Sequence, residues 1–168
     1  GIELTGDIQP TTDLADAVSK AEIVFVAIPS KAFRAVIREN SDKFRDEQIV
    51  ISLTKGIEEH GFKLMSEILQ EGTPRCRTGV LSGPNLAKEV VEQKFTGTVI
   101  ASPDEQLRQT VQDALSCDYF RVYDNPDISG VELGGALKNI YAVASGMAAA
   151  IGVGENSRSF LITRALAE

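Results

Sequence analysis

AEIVFVAIP, residues 21–29, is apolar at nearly every position and stops at a proline. QIVISLTKG (48–56) and RTGVLSG (77–83) repeat the plan, each a short β-branched run that ends in small polar residues. TGTVIAS (96–102) is a fourth run of the kind, and 120–123 adds a closing strand. Runs that are apolar on both faces suit a parallel sheet covered by helices on each side. The segments between them carry helical patterns, over 13–20, 31–44, 62–71, 86–92 and 104–116. The last opens with Ser102-Pro103-Asp104-Glu105, a start signal in which Ser or Asp caps the helix and acids fall in the first turn. Strands alternating with helices predict an α/β unit with a parallel sheet and right-handed crossovers.

The pattern changes after Asn125-Pro126-Asp127. From Ser129 no strand is expected: 129–153 reads as one long helix, and 156–168 as a second, with Arg158, Leu161, Ile162 and Ala165 at helical spacing. A hinge near 124–127 therefore divides an α/β domain, 1–126, from the start of an all-helical domain, 127–168. No repeat or low-complexity segment interrupts either. The sheet lacks a first strand ending in G-x-G-x-x-G, the turn that holds a dinucleotide. Gly134-Gly135 lies within a helical stretch and has the wrong context. Either the protein binds no dinucleotide, or the first β-α-β unit is absent from this chain.

Composition narrows the function. The 168 residues are 43% hydrophobic and 24% charged, the balance of a soluble globular protein. A net charge of −7 argues against a nucleic-acid partner, which would need a basic face. It leaves room for a small anion held by a local cluster of Lys, Arg and backbone N–H groups. Cys76, Cys117 and His60 form no metal-ligand spacing, which predicts a reduced, cytosolic setting without structural metal. Residues 1–7 have no signal-peptide character. The most apolar stretch, 140–153, is too short for a bilayer core of about 30 Å and reads as a buried helix.

Four places could carry chemistry. Lys138 is the sole basic residue between Arg121 and Arg158, and it lies inside a helix of small and apolar side chains. Its ammonium either snorkels outward or faces a cleft. In the second case burial lowers a lysine's pKa and fits it for general acid–base work. Lys55, in Ser52-Leu53-Thr54-Lys55-Gly56, follows a central strand, where open α/β sheets bind ligands; it is either a solvated cation or one that holds a phosphate or polarises a carbonyl. Ser82-Gly83-Pro84-Asn85-Leu86-Ala87 joins a strand to a helix. Its glycine permits close backbone approach and its helix N-terminus offers N–H groups to an anion, while Asn85 is also a capping residue. Phe33, after the Pro29 strand end, either lies against a flat cofactor ring or belongs to the core or its rim. Lys55, Asn85 and Phe33 all follow strand C-termini, at the edge to which the hinge would bring Lys138.

The run Gly134-Gly135-Ala136-Leu137-Lys138-Asn139-Ile140-Tyr141-Ala142 resembles the catalytic helix of glycerol-3-phosphate dehydrogenases. Ser52–Gly56 with Ile57-Glu58, LSGPNLAKEV (81–90) and NSRSFLITRALAE (156–168) look like the same family, in the same order and at compatible spacing. Pro29-Ser30 followed by Phe33 is closer to bacterial than to animal members. The resemblance covers essentially the whole chain. It implies a partial Rossmann-like sheet followed by the start of a helical domain. It also implies reversible hydride transfer between NAD or NADP and dihydroxyacetone phosphate, giving sn-glycerol 3-phosphate for glycerophospholipid synthesis. By the same resemblance Lys138 is the catalytic proton donor and acceptor, and Lys55 lies between cofactor and substrate. Gly83, Asn85 and Asn139 contact substrate, and Phe33 and Ala87 line the cofactor. The setting implied is cytoplasmic, with a small phosphate substrate, no membrane, and compatibility with a homodimer.

This chain departs from the family in three ways. Bacterial members often carry Ser or Thr where it has Asn85. The glycine loop is absent, and the later segments with an acidic residue and a Ser/Thr-Arg-Asn phosphate clamp would follow Glu168. We therefore expect the 168 residues alone to be inactive. Ketopantoate reductase and 6-phosphogluconate dehydrogenase relatives also place a lysine on the first long helix, but GALKN and SLTKG favour the glycerol phosphate enzyme. The remaining alternative is a non-catalytic fragment.

Overall fold

A computed structural model of the protein describes residues 8–167, so the reading of 1–7 and of Glu168 lies outside the described residues. The chain runs α1 (Leu14–Lys20), β1 (Ile23–Val26), α2 (Ser30–Glu39), β2 (Ile49–Ser52), α3 (Met65–Gly72) and β3 (Arg77–Ser82). It continues with α4 (Ala87–Val91), β4 (Thr96–Ala101), α5 (Glu105–Leu115), β5 (Phe120–Asn125), α6 (Ile128–Ala150) and α7 (Glu155–Ala167). The five strands form one sheet in chain order.

Alternation along the strands sorts side chains to two cores, as the pleat requires. Val24 and Val26 of β1 and Val50 of β2 meet Phe33 and Ile37 of α2 and Ile68 and Leu69 of α3. Ile49 and Ile51 of β2, Leu81 of β3 and Ile100 of β4 meet Leu107 and Val111 of α5 on the opposite face. Each fully buried side chain of this size contributes about 1.5–3 kcal/mol. Both faces are therefore covered, which is why β2 reads as an unbroken apolar run.

The expected all-parallel sheet needs a correction. β1, β2 and β3 are parallel, and β4 is parallel to β5, but β3 and β4 pair antiparallel. The connection from β3 to β4 contains only the five-residue α4. A parallel crossover needs a longer helix packed back along the sheet, so here the chain turns and returns beside β3.

Two helices begin or end differently from the sequence pattern. The pattern over 31–44 breaks after Glu39, where Asn40 leaves the helix and Ser41–Lys43 form a tight 3-10 turn. The pattern over 62–71 starts only at Met65, because Ile57 and Leu64 form an isolated β-bridge and Phe62 takes φ 51 in the turn between them. Arg34 of α2 clamps that turn, donating to Glu58 at 2.9 Å and to Glu71 of α3 at 2.8 Å.

The long helix also differs in burial. α6 packs against β3, β4 and α7, but Glu132 is its only buried residue. Ile140 and Met147 are 62% and 65% exposed. The apolar composition of α6 thus describes a face that is open among the described residues, rather than a helix enclosed all round.

Candidate active site

β1, β2 and β3 point the same way, so the loops after Val26, Ser52 and Ser82 emerge side by side. Thr54 ties the first two together, its hydroxyl donating to the Ile28 carbonyl at 2.8 Å. Gly56 follows at φ +142, a conformation side chains rarely adopt, and a Cβ there would sit 3.0 Å from the Ser30 Cβ. This turn aims Lys55 across the strand ends. Its ammonium donates to the Gly83 carbonyl at 2.8 Å, linking the β2 loop to the β3 loop.

The β3 loop is pinned from the other side. A Cβ on Gly83 would meet the Gly97 carbonyl and Thr98 at 2.8 Å, so only glycine lets this loop lie against β4. Asn85 Nδ2 donates to the Thr98 hydroxyl at 3.0 Å. The reading of Asn85 as a helix cap is not what forms: α4 begins at Ala87, and its N-cap position, Leu86, makes no side-chain bond.

Lys55, Asn85 and Ala87 border one cavity of about 590 Å³, whose floor includes Phe25, Leu53 and Leu81. A larger hollow, about 780 Å³ between Phe95, Tyr119 and Tyr123, lies at the start of β4 and β5 and contains none of the candidate residues. We place the site at the smaller cavity, because chemistry-bearing groups converge there.

α6 closes on this edge through Gly135. A Cβ at that position would come within 2.6 Å of the Ser82 hydroxyl and 3.9 Å of Lys55 Cε. Lys138, one turn further along, is near enough to act on Lys55. Partial burial lowers the Lys55 pKa below the ordinary lysine range, and the positive charge of Lys138 lowers it further. Lys138 itself is exposed, as is Asn139 beside it, so of its two readings the outward-facing one describes it among the described residues. Phe33 also needs correction. It is 0% exposed within the core between α2 and the sheet, and its ring has no face left for a cofactor.

One residue of this region escaped the sequence reading. Glu132 of α6 is 8% exposed, and its carboxylate accepts from the backbone N–H of Ser66 at 3.1 Å and from the Ser66 hydroxyl. Its charge stands out in the sequence, since Glu132 and Lys138 are the sole charged residues between Asp127 and Glu155, but nothing local points to its partner.

Strand ends presenting a cation, an amide and an apolar cavity, with a helical segment docked across them, define the α/β class that binds ligands at the carboxyl edge of the sheet. Residues 1–108 match the family model described as "NAD-dependent glycerol-3-phosphate dehydrogenase N-terminus", and 127–168 match that of its C-terminus. The chain therefore belongs to the NAD-dependent glycerol-3-phosphate dehydrogenase family. It is 73% identical over its full length to a glycerol-3-phosphate dehydrogenase [NAD(P)+] of Alcanivorax borkumensis, of which it spans 49%. Among solved structures it resembles the glycerol-3-phosphate dehydrogenase of Coxiella burnetii, with a TM-score of 0.80 and 34% identity, covering 92% of this chain and 47% of that one. The Dunaliella salina structure titled DsGPDH gives a TM-score of 0.84 at 27% identity, covering 99% of this chain and 29% of that one. The chain thus spans about half the length of the curated relatives it matches.

Proposed function

We propose that this chain carries the strand-end half of an active site that interconverts dihydroxyacetone phosphate and sn-glycerol 3-phosphate with NAD or NADP. The observation that carries the reading is the convergence of Lys55, Asn85 and Ala87 on one cavity, with α6 bringing Lys138 within range of the Lys55 charge. Two ammonium groups at one edge make a local positive field in a chain of net charge −7. Such a field selects a small anion from solution, and a phosphate-bearing substrate answers it.

The residues present suit the nicotinamide end of a dinucleotide: an apolar floor of Phe25, Leu53 and Leu81 for a flat ring, with Lys55 and Asn85 at the rim. The pyrophosphate would need the backbone N–H groups of a glycine turn, which no G-x-G-x-x-G in these 168 residues supplies. When bound, the reduced nicotinamide supplies a hydride for C2 of the substrate. Lys138 gives a proton to the oxygen on that carbon during reduction and takes it back during oxidation. Lys55 offsets negative charge between the two ligands. Asn85, Asn139 and the Gly83 backbone orient the substrate, and Ala87 keeps the cofactor wall free of bulk. The product is a precursor for glycerophospholipid synthesis.

A cytoplasmic setting fits this chemistry. No helix among the described residues is long and apolar enough to cross a membrane, and Cys76 and Cys117 are both free. The test is oxidation of NADH or NADPH by the full-length protein with each keto substrate in turn. Dihydroxyacetone phosphate should be reduced at least about 10⁴-fold more efficiently than ketopantoate, the margin a site built to hydrogen-bond a substrate's polar groups achieves. Equal or better use of ketopantoate, or of ribulose 5-phosphate with carbon dioxide, contradicts the proposal.

A further inference from the structure

α6 must hold Lys138 over the strand ends with few anchors. Glu132 is its sole buried residue, and the next fixed point is the approach of Gly135 to Ser82. Beyond those the helix is largely exposed. Its position along and around its own axis is therefore set in its first two turns.

Glu132 meets an unusual partner. α3 has Leu64 at its N-cap, a residue with no oxygen to offer the free N–H groups of the first turn. Glu67 turns back to accept from the Leu64 N–H at 2.7 Å, and the Ser66 N–H is left to Glu132. Each side needs the other. A carboxylate removed from water without partners is costly, and here it gains an N–H, a hydroxyl and the positive end of the α3 dipole. Burial nevertheless raises the Glu132 pKa, with the Ser66 hydroxyl and the α3 N–H groups opposing that shift.

We propose that Glu132 is a positioning residue, which clasps the first turn of α3 to fix the register of α6 and thereby places Lys138 relative to Lys55. This rests on the reading of Lys55 and Lys138 as partners in one site. Lys138 lies about 9 Å beyond Glu132 along the helix, less than two turns, so a rotation at Glu132 reaches it with little slack. One residue's rotation would swing the lysine through about 100° and out of range of Lys55.

The test uses the full-length protein with Glu132→Ala, Glu132→Gln, Lys138→Met and, as a control of comparable stability cost, Asp104→Ala. The titration of Lys55 is read from its reactivity toward an amine-acylating reagent across pH, with mass spectrometry of the labelled peptide. Glu132→Ala should raise the Lys55 pKa toward the ordinary range, in the same direction as Lys138→Met. Glu132→Gln, which keeps one acceptor oxygen, should fall between wild type and Glu132→Ala, and Asp104→Ala should leave Lys55 unchanged. In the dehydrogenase assay Glu132→Ala should lower kcat by about 10–10²-fold, the cost of misplacing a group by about 1 Å. A Lys55 titration in Glu132→Ala that matches the Asp104→Ala control overturns the proposal. The labelling does not depend on turnover, so it decides the positioning role even if the protein reduces none of the keto substrates.

Discussion

Lys55 is the residue whose surroundings say most about its work. An ammonium that only decorated a strand end would keep the ordinary lysine range, whereas this one is lowered by partial burial and by Lys138. An anion bound between the two cations would relieve the second effect. Lys55→Met should therefore raise KM for dihydroxyacetone phosphate and lower kcat together, each by about tenfold or more, as removing one charged hydrogen-bonding partner does. A loss of melting temperature with unchanged kinetics of the folded enzyme would return Lys55 to a structural role. Lys55 and Asn85 could be picked out as strand-end residues because strand ends are readable from apolar runs, and both border the one cavity. The sequence left Phe33 open, and only the family resemblance put it at the cofactor, since an aromatic one turn into a helix looks the same whether it faces a ligand or the core. Here it packs inward with Ile37 of the same helix. Glu132 stayed hidden for a different reason: its partner Ser66 lies 66 residues away, and no local pattern announces a cap supplied from another helix.

Among the elements, α5 behaves as its sequence indicates. Asp104 caps it, accepting from the Leu107 N–H at 3.0 Å, and also receives Arg77 Nε at 2.6 Å from β3. The Arg77 hydrogen bond holds the Asp104 carboxyl below the usual carboxylate range, against the opposing effect of partial burial. Asp104→Ala should cost about 1–2 kcal/mol at pH 7 through loss of the cap. Because the folded pKa lies below the unfolded one, this contribution is complete above about pH 4–5 and fades as pH falls through the lowered folded value. Urea denaturation of wild type and variant at pH 7 and pH 3 checks this. The gap should narrow at the lower pH, and a constant gap would show that the carboxylate's charge plays no part. The strands were legible because burial on both faces leaves a continuous apolar signature. The direction of β4 was not, since orientation depends on the connection, and a five-residue α4 does not distinguish a crossover from a return. The start of α3 was obscured in the same way by the small turn around Phe62.

At the scale of the molecule, the proposed site belongs to neither part alone. In that proposal the sheet supplies Lys55, Gly83 and Asn85, the helical segment supplies Lys138 and Asn139, and Glu132 joins the two through Ser66. The change from strands to helices was readable in the sequence from the loss of β-branched runs after Asn125-Pro126-Asp127, and β5 ends at Asn125 with α6 beginning at Ile128. The exposure of α6 was not: composition reports that a face is apolar, not whether it is covered. Apolar side chains such as Val143, Met147, Ile151 and Phe160 stand exposed on α6, its C-terminal turn and α7. Lys138 is the residue on which the functional reading converges, because the family resemblance, its place beside Lys55 and the contact at Glu132 all bear on it. Steady-state reduction of dihydroxyacetone phosphate by the full-length protein, comparing wild type with Lys138→Ala, tests the account most directly. Loss of a general acid–base should lower kcat by about 10²–10⁴-fold while the dissociation constant for NADH changes by less than about threefold. Turnover within a few-fold of wild type would contradict it.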